Sequence, residues 1–171
     1  MNLDDIKAKL QSVIQTFTSV TTIYANQNAP IPDKPFITLL VTVTNKIGHD
    51  EPVQVSDTQQ EYAGQREFDV SIQCFGDTSY QTLLNLHDYF ETALLRDSLA
   101  TSGIVYVSNE GITNIDEILD TEIEHRASMN VLFRIDSTTL YDSGIIEQAD
   151  VTQTIYNPDG TVANNDNYLI S

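Results

Sequence analysis

Three histidines, one cysteine and a large stock of carboxylates are the residues of this chain with chemistry to offer. His49, Asp50 and Glu51 stand side by side, but neighbours in an extended segment point to opposite faces and do not jointly hold one ion. His87 lies four residues before Glu91. That spacing shares a helix face, yet it supplies two ligands with no third in sight. His125 falls between Ile123 and Ala127 on the inward side of an alternating run, where a buried neutral imidazole with one hydrogen-bonded nitrogen is the simplest reading. Cys74 sits on the apolar side of its own alternating run with no basic neighbour to lower its pKa, so it reads as a small core residue. No Gly-x-Ser-x-Gly elbow, glycine-rich phosphate loop or dinucleotide fingerprint occurs. The carboxylates are many, but none is marked as tuned differently from a partner, which acid and base roles require. No catalytic residue, cofactor or metal site is expected.

What must position these residues is a chain of 171 residues, near the common size of one domain. Folding at this length hides about 70% of the unfolded chain's surface, so a core forms without disulfides or metals. With 8 Lys and Arg against 25 Asp and Glu, the formal charge is −17. That balance excludes a protein that grips phosphate backbones, because such binding runs on Lys and Arg displacing counterions. No run approaches the ~18 apolar residues of a membrane span, and Met1 to Leu10 lacks the layout of a secretion signal. A soluble intracellular product without a membrane partner is expected.

Leu3, Ile6, Leu10, Val13, Ile14 and Phe17 recur at helical spacing, with Asn2 or Asp4 as cap. Residues 26–35 hold three of the five prolines and read as a loop. Phe36 to Thr44 is rich in β-branched residues and suits a strand covered on both faces. Gly48 to Ala63 is polar and reads as a long exposed loop or a protruding hairpin. Phe68, Val70, Ile72 and Cys74 alternate with polar residues, a strand with one wet face. From about Ser79 to Arg96 the spacing predicts a single helix, ~28 Å long at 1.5 Å per residue. Its apolar arc, from Tyr80 through Leu95, is wider than a helix lying on one sheet needs. Helix one or another subunit must cover the excess. Ile104 to Ser108 reads as a short strand, Ile112 to Leu119 as a strand or bend, and Ile123 to Ile135 as one long alternating strand.

The order predicts an α+β fold: a mostly antiparallel sheet, two main helices on one face, and an extended C-terminal arm or hairpin. Residues 1–135 form the single domain. Residues 136–171 are an acidic extension without a single Lys or Arg, carrying a hairpin turn at Asn157-Pro158-Asp159-Gly160. With chemistry set aside, surface remains. Glu122, Glu124, Arg126 and Arg134 lie along one side of the long strand, where half of the arginines are gathered. They read either as a solvated face or as a subunit contact, with arginines answering the acids of a neighbouring copy.

The segments Pro35 to Thr38, Arg66 to Gly76, Gly103 to Val105 and Glu124-His125-Arg126-Ala127-Ser128, in this order, resemble the neck or tail terminator proteins of tailed bacteriophages. The resemblance spans residues 35 to 135. It implies a virion structural protein, made in the host cytoplasm, that forms a ring of six copies, ends the tail tube and joins the tail to the neck or connector. Its implied partners are copies of itself, the tail-tube protein and the neck or connector proteins. DNA passes through such a ring without being bound. Other readings left open are a different part of the particle (tail-tube subunit, connector adaptor or baseplate component) and a small acidic hydrolase.

Overall fold

The computed structural model describes residues 3–28, 30–56, 58–119, 122–142 and 149–170, with backbone alone at 43, 44, 119, 122, 149–151 and 163–170. Asn2, one of the two expected helix caps, lies outside them. Two compact units are present, Met1–Glu51 with Tyr62–Thr139, and Pro52–Glu61 with Leu140–Ser171.

In the first unit, α1 (Leu3–Thr18) buries Leu10, Val13 and Ile14 and carries Asp4 and Asp5 in its first turn, where the helix dipole favours negative charge. Two strands follow, β1 (Thr21–Tyr24) and β2 (Phe36–Gln54), and pair in parallel from Thr21 with Phe36 to Tyr24 with Leu39. β3 (Gln59–Phe75) pairs beside β2, so Gly48 to Ala63 takes the hairpin form of its two readings, its Pro52–Glu61 part being assigned to the second unit. Beyond β3 come the helices α2 (Ser79–Phe90) and α3 (Ala93–Thr101), then β4 (Ile104–Asn109), β5 (Thr113–Asn114), β6 (Glu117–Leu119), β7 (Glu122–Glu124) and β8 (Arg126–Asp142). The main sheet runs β1-β2-β3-β8-β4, with β5 also on β8. β4 and β5 lie antiparallel to β8. Arg126 meets Gln73 and Arg134 meets Glu67, so β8 is antiparallel to β3 as well. The architecture is the expected α+β one.

One face of that sheet carries the core. Ile37 and Leu39 of β2, Phe68, Val70, Ile72 and Cys74 of β3, and Ala127, Met129, Val131, Phe133 and Ile135 of β8 are buried against Leu83, Leu86 and Phe90 of α2 and Leu95 and Leu99 of α3. Burying each large side chain is worth roughly 1.5–3 kcal/mol, so this face dominates stability.

Two expectations are corrected. The single helix from Ser79 to Arg96 is two helices, because Thr92 adopts an extended backbone and caps α3 by accepting the Leu95 N–H on its hydroxyl. Arg96 clasps the break, donating from Nε to the Phe90 carbonyl at 2.6 Å and from Nη2 to Glu91 at 2.7 Å. The wide apolar arc is thus divided between two axes. α1 covers part of it, through Phe17 edge-on to Tyr89 at 5.5 Å, while Tyr80 and Leu94 stay exposed. The second correction concerns Ile123 to Ile135. The alternating run is broken at His125, and β7 leaves the main sheet to pair with β6 in a ribbon of its own. His125 is therefore exposed rather than inward. β8 also runs on to Asp142, beyond the expected end.

In the second unit, β9 (Ala149–Tyr156) and β10 (Val162–Ile170) form an antiparallel hairpin. Its turn is the expected one: Asn157 accepts the Gly160 N–H at 2.9 Å, and Asp159 Oδ1 accepts from the Thr161 N–H at 2.9 Å and its hydroxyl at 2.6 Å. Gly160 takes φ +83°, a left-handed conformation that glycine adopts without strain. The expected tail residues Ile145, Ile146 and Glu147 lie outside the described residues.

Candidate subunit-contact face

The side of the sheet away from the helices is built from alternate residues of the same strands; of the charged residues singled out above it holds Arg126 and Arg134, while Glu122 and Glu124 lie on β7, outside the main sheet. At one corner three stretches converge. Lys34 and Pro35 lead into β2, Gly76 ends β3, and Glu124, His125 and Arg126 join β7 to β8. The Gly76 N–H donates to the His125 carbonyl at 2.9 Å. Gly76 has φ +111°, and a Cβ there would meet Lys34 and Pro35 at 3.3–3.5 Å, so the closeness of these segments suits glycine.

Each residue of Glu124-His125-Arg126 is tied within the chain. Lys34 Nζ lies 2.6 Å from Glu124 Oε1. Asp116, between β5 and β6, accepts the Arg126 backbone N–H on Oδ1 at 2.9 Å, while its Oδ2 lies 3.3 Å from His125 Nδ1 and 3.1 Å from Asn114 Nδ2. The Arg126 N–H, followed by Asn114 and His125, holds the Asp116 carboxyl below its ordinary range. The Arg126 guanidinium lies 4.8 Å over the Phe75 ring and donates to the Gln73 side chain. Phe75 in turn stacks on Phe36, centroids 4.7 Å apart and planes 9° from parallel. That stack buries Phe36 and covers the second face of β2 at its start only, since Thr42 farther along is exposed. The residues of the phage resemblance at this corner thus lock three segments together, and sequence alone showed their types without showing that they meet.

Of the four residues read as a candidate contact, Arg134 sits farther along β8 and pairs with Glu67 of β3 at 2.5 Å, its side chain 36% exposed. Arg126 and Glu124 occupy the corner, and Glu122 opens β7 with its side chain outside the described part. They do not form one cluster. Arg126 and Arg134 are two ends of one strand face; Arg134 pairs with Glu67, and Arg126 engages Gln73 and the Phe75 ring.

The residues with chemistry to offer stay apart. His49 is exposed on β2, and Asp50 beside it is taken by Arg66 at 2.8 Å and Lys46 at 3.0 Å. His87, on α2, has Nδ1 3.5 Å from Asp88 Oδ1, while Glu91, its expected face-mate, goes to Arg96 and the Tyr106 hydroxyl. Burial pushes the Cys74 thiol up to about 11. Among the described residues no three His, Cys, Asp or Glu are grouped to hold a metal, and no helix is long and apolar enough to cross a membrane.

No curated protein matches the chain in sequence. A family model does, over residues 4–164, reaching well beyond the segments that carried the resemblance and taking in α1 and most of the C-terminal hairpin. This chain, an α+β domain with its family-like residues knotted at one sheet corner, belongs to the phage neck terminator protein family.

Proposed function

We propose that the chain is the subunit of a closed ring of six copies that ends the tail tube and joins the tail to the neck or connector, acting by shape and contact rather than by catalysis. The observation that carries this reading is the family match over nearly the whole chain. The sheet corner supports a structural role, because His125, Arg126 and Asp116 are spent on holding segments together. The proposed subunit contact runs along the outward side of β7 and β8, through Glu122, Glu124, Arg126 and Arg134. There each arginine would keep its partner in its own chain while also meeting the neighbour. Residues 136–171 are proposed as an extension serving assembly, distinct from the domain of residues 1–135. Its hairpin is of a size that is marginal alone in water, and it would add to a partner's surface.

Charge is compatible with a channel for DNA. Six copies at −17 each carry roughly −102, and a wall of that sign repels phosphates, so the genome slides without sticking. The test is complementation in vitro. Heads and tails from phage lacking this chain should stay unjoined, and the purified full-length protein should restore joined particles. Joining that proceeds equally well without it would contradict the proposal.

A further inference from the structure

We infer that the outer edge of β4 is where the C-terminal hairpin of a neighbouring copy docks, adding its strands to the main sheet. The inference rests on the ring proposed above and names where the extension of one copy meets the next. The main sheet ends on β1 at one side and on β4 at the other. The β1 edge is occupied from within. Gln11 donates from Nε2 to the Thr22 carbonyl at 2.6 Å, and the Thr22 N–H donates to Gln15 Oε1 at 3.3 Å, so glutamines of α1 take the groups that a strand added there would bond. The β4 edge differs. Val105 and Val107 are 53% and 38% exposed, and the strand carries neither a charge nor a proline, two of the usual guards of a free edge. A bulge between Tyr106 and Ser108 is its one irregularity.

The hairpin is the matching half. β9 and β10 are eight and nine residues long, against six in β4, and pair with each other in a sheet of two strands. Among the described residues of the second unit none is buried, and Ile155, Tyr156 and Val162 of the hairpin are 47%, 63% and 55% exposed. A two-stranded sheet without a core gains from further strands beside it. Charge selects the occupant. Residues 136–171 hold six acids and no Lys or Arg. Ser98 to Asn109, the end of α3 and all of β4, is a stretch of twelve residues without a charge. The residue opposite Val105 on β8 is Arg134, paired with Glu67 and still 36% exposed. An acidic arm thus meets no like charge on β4 and finds a cation one strand in, whereas a cationic partner finds no acid on β4 to hold it. Pairing of β4 with β4 across a two-fold axis ends at a dimer. Arm and edge are different parts of the chain, so their contact repeats head to tail from copy to copy, as a closed ring requires.

The test places a photo-crosslinking benzoylphenylalanine at position 105, and separately at 107, in the full-length chain, after each variant's melting temperature is shown to match that of the unmodified protein. Unlabelled and nitrogen-15 chains are mixed in equal parts, added to tails isolated from phage lacking this chain, and irradiated. The expected result is a cross-link to a peptide within residues 149–170, with mixed-label pairs that only a contact between copies produces. Val105→Glu and Val107→Glu should cut recovery of joined particles at least about tenfold, the factor that 1.4 kcal/mol carries, while Val105→Thr leaves recovery unchanged. A cross-link confined to one copy, to another part of a neighbouring copy or to a different virion protein, or none from either position, overturns the inference. Copy number at the tail end is read separately by cryo-electron microscopy. A ring without the cross-link removes this contact alone, and tails without a ring remove the reading beneath it.

Discussion

At the scale of single residues, the ionisable side chains are arranged for architecture. Cys74, with its thiol pushed up to about 11 by burial, is expected to resist a thiol reagent at pH 8 in the folded protein and to react once urea unfolds it. Fast native labelling would contradict its place in the core. Asp50 is the clearest charged case. Hydrogen bonds from Arg66 and then Lys46 hold its carboxyl well below the ordinary 3.8. A carboxyl lowered on folding adds stability above its unfolded pKa and loses it as pH falls toward the folded value. Its contribution is therefore full at neutral pH and fades below about pH 4. Asp50→Asn should lower the melting temperature at pH 7 and flatten its fall on acidification. Gly64→Ala should do the same, since a Cβ there would stand 1.8 Å from Asp50 Oδ1. If both variants keep the wild-type acid profile, the trio is not what holds this part of the hairpin.

At the scale of elements, the break between α2 and α3 is the feature most open to test. Phe90 ends α2 fully buried, 5.0 Å from the Tyr106 ring and 6.0 Å from that of Phe133. Phe90→Ala should cost about 3–5 kcal/mol in urea unfolding, whereas Thr92→Ala, which removes the α3 cap, should cost about 1 kcal/mol. Equal costs would mean that the cap is no separate contributor. The break was hidden in the sequence because leucines continue across it at near-helical spacing, and Thr92 as a cap is told from a polar-face threonine only by its backbone. The strands were more legible. Strict alternation fixed the buried side of β3 and of β8, and Asn157 to Gly160 fixed the C-terminal turn. β1 was missed: four residues make a weak signal, although Thr21, Thr22 and Ile23 are β-branched. His125 was misplaced for a related reason. Period two says which residues share a side, not which sheet the strand belongs to, and the segment between β7 and β8 is tied to Gly76, distant in sequence, and to Asp116, on the far side of β6.

At the scale of the whole molecule, the charge of −17 and the neck terminator family bear on function together. The four candidate contact residues could be named from sequence, but the engagement of Arg126 by Gln73, Arg134 by Glu67 and Glu124 by Lys34 could not, because those partners come from other strands and loops. Removing residues 148–171 takes away β9 and β10, which pair with each other. The truncated chain is expected to remain soluble, to melt cooperatively and to fail in joining tails to heads. A truncation that unfolds or aggregates would make the hairpin part of the fold. Duplex DNA should show no measurable binding at physiological salt. A salt-dependent affinity in the range of roughly 10⁻⁴ to 10⁻⁶ M, common for non-specific binding, would contradict the channel argument.

Cryo-electron microscopy of phage particles carrying this chain would show whether a ring stands at the junction of tail and neck. Six copies are expected, closed around the DNA path where the tail tube ends. A single copy per particle, or density for the chain away from the neck and the tail end, would contradict it.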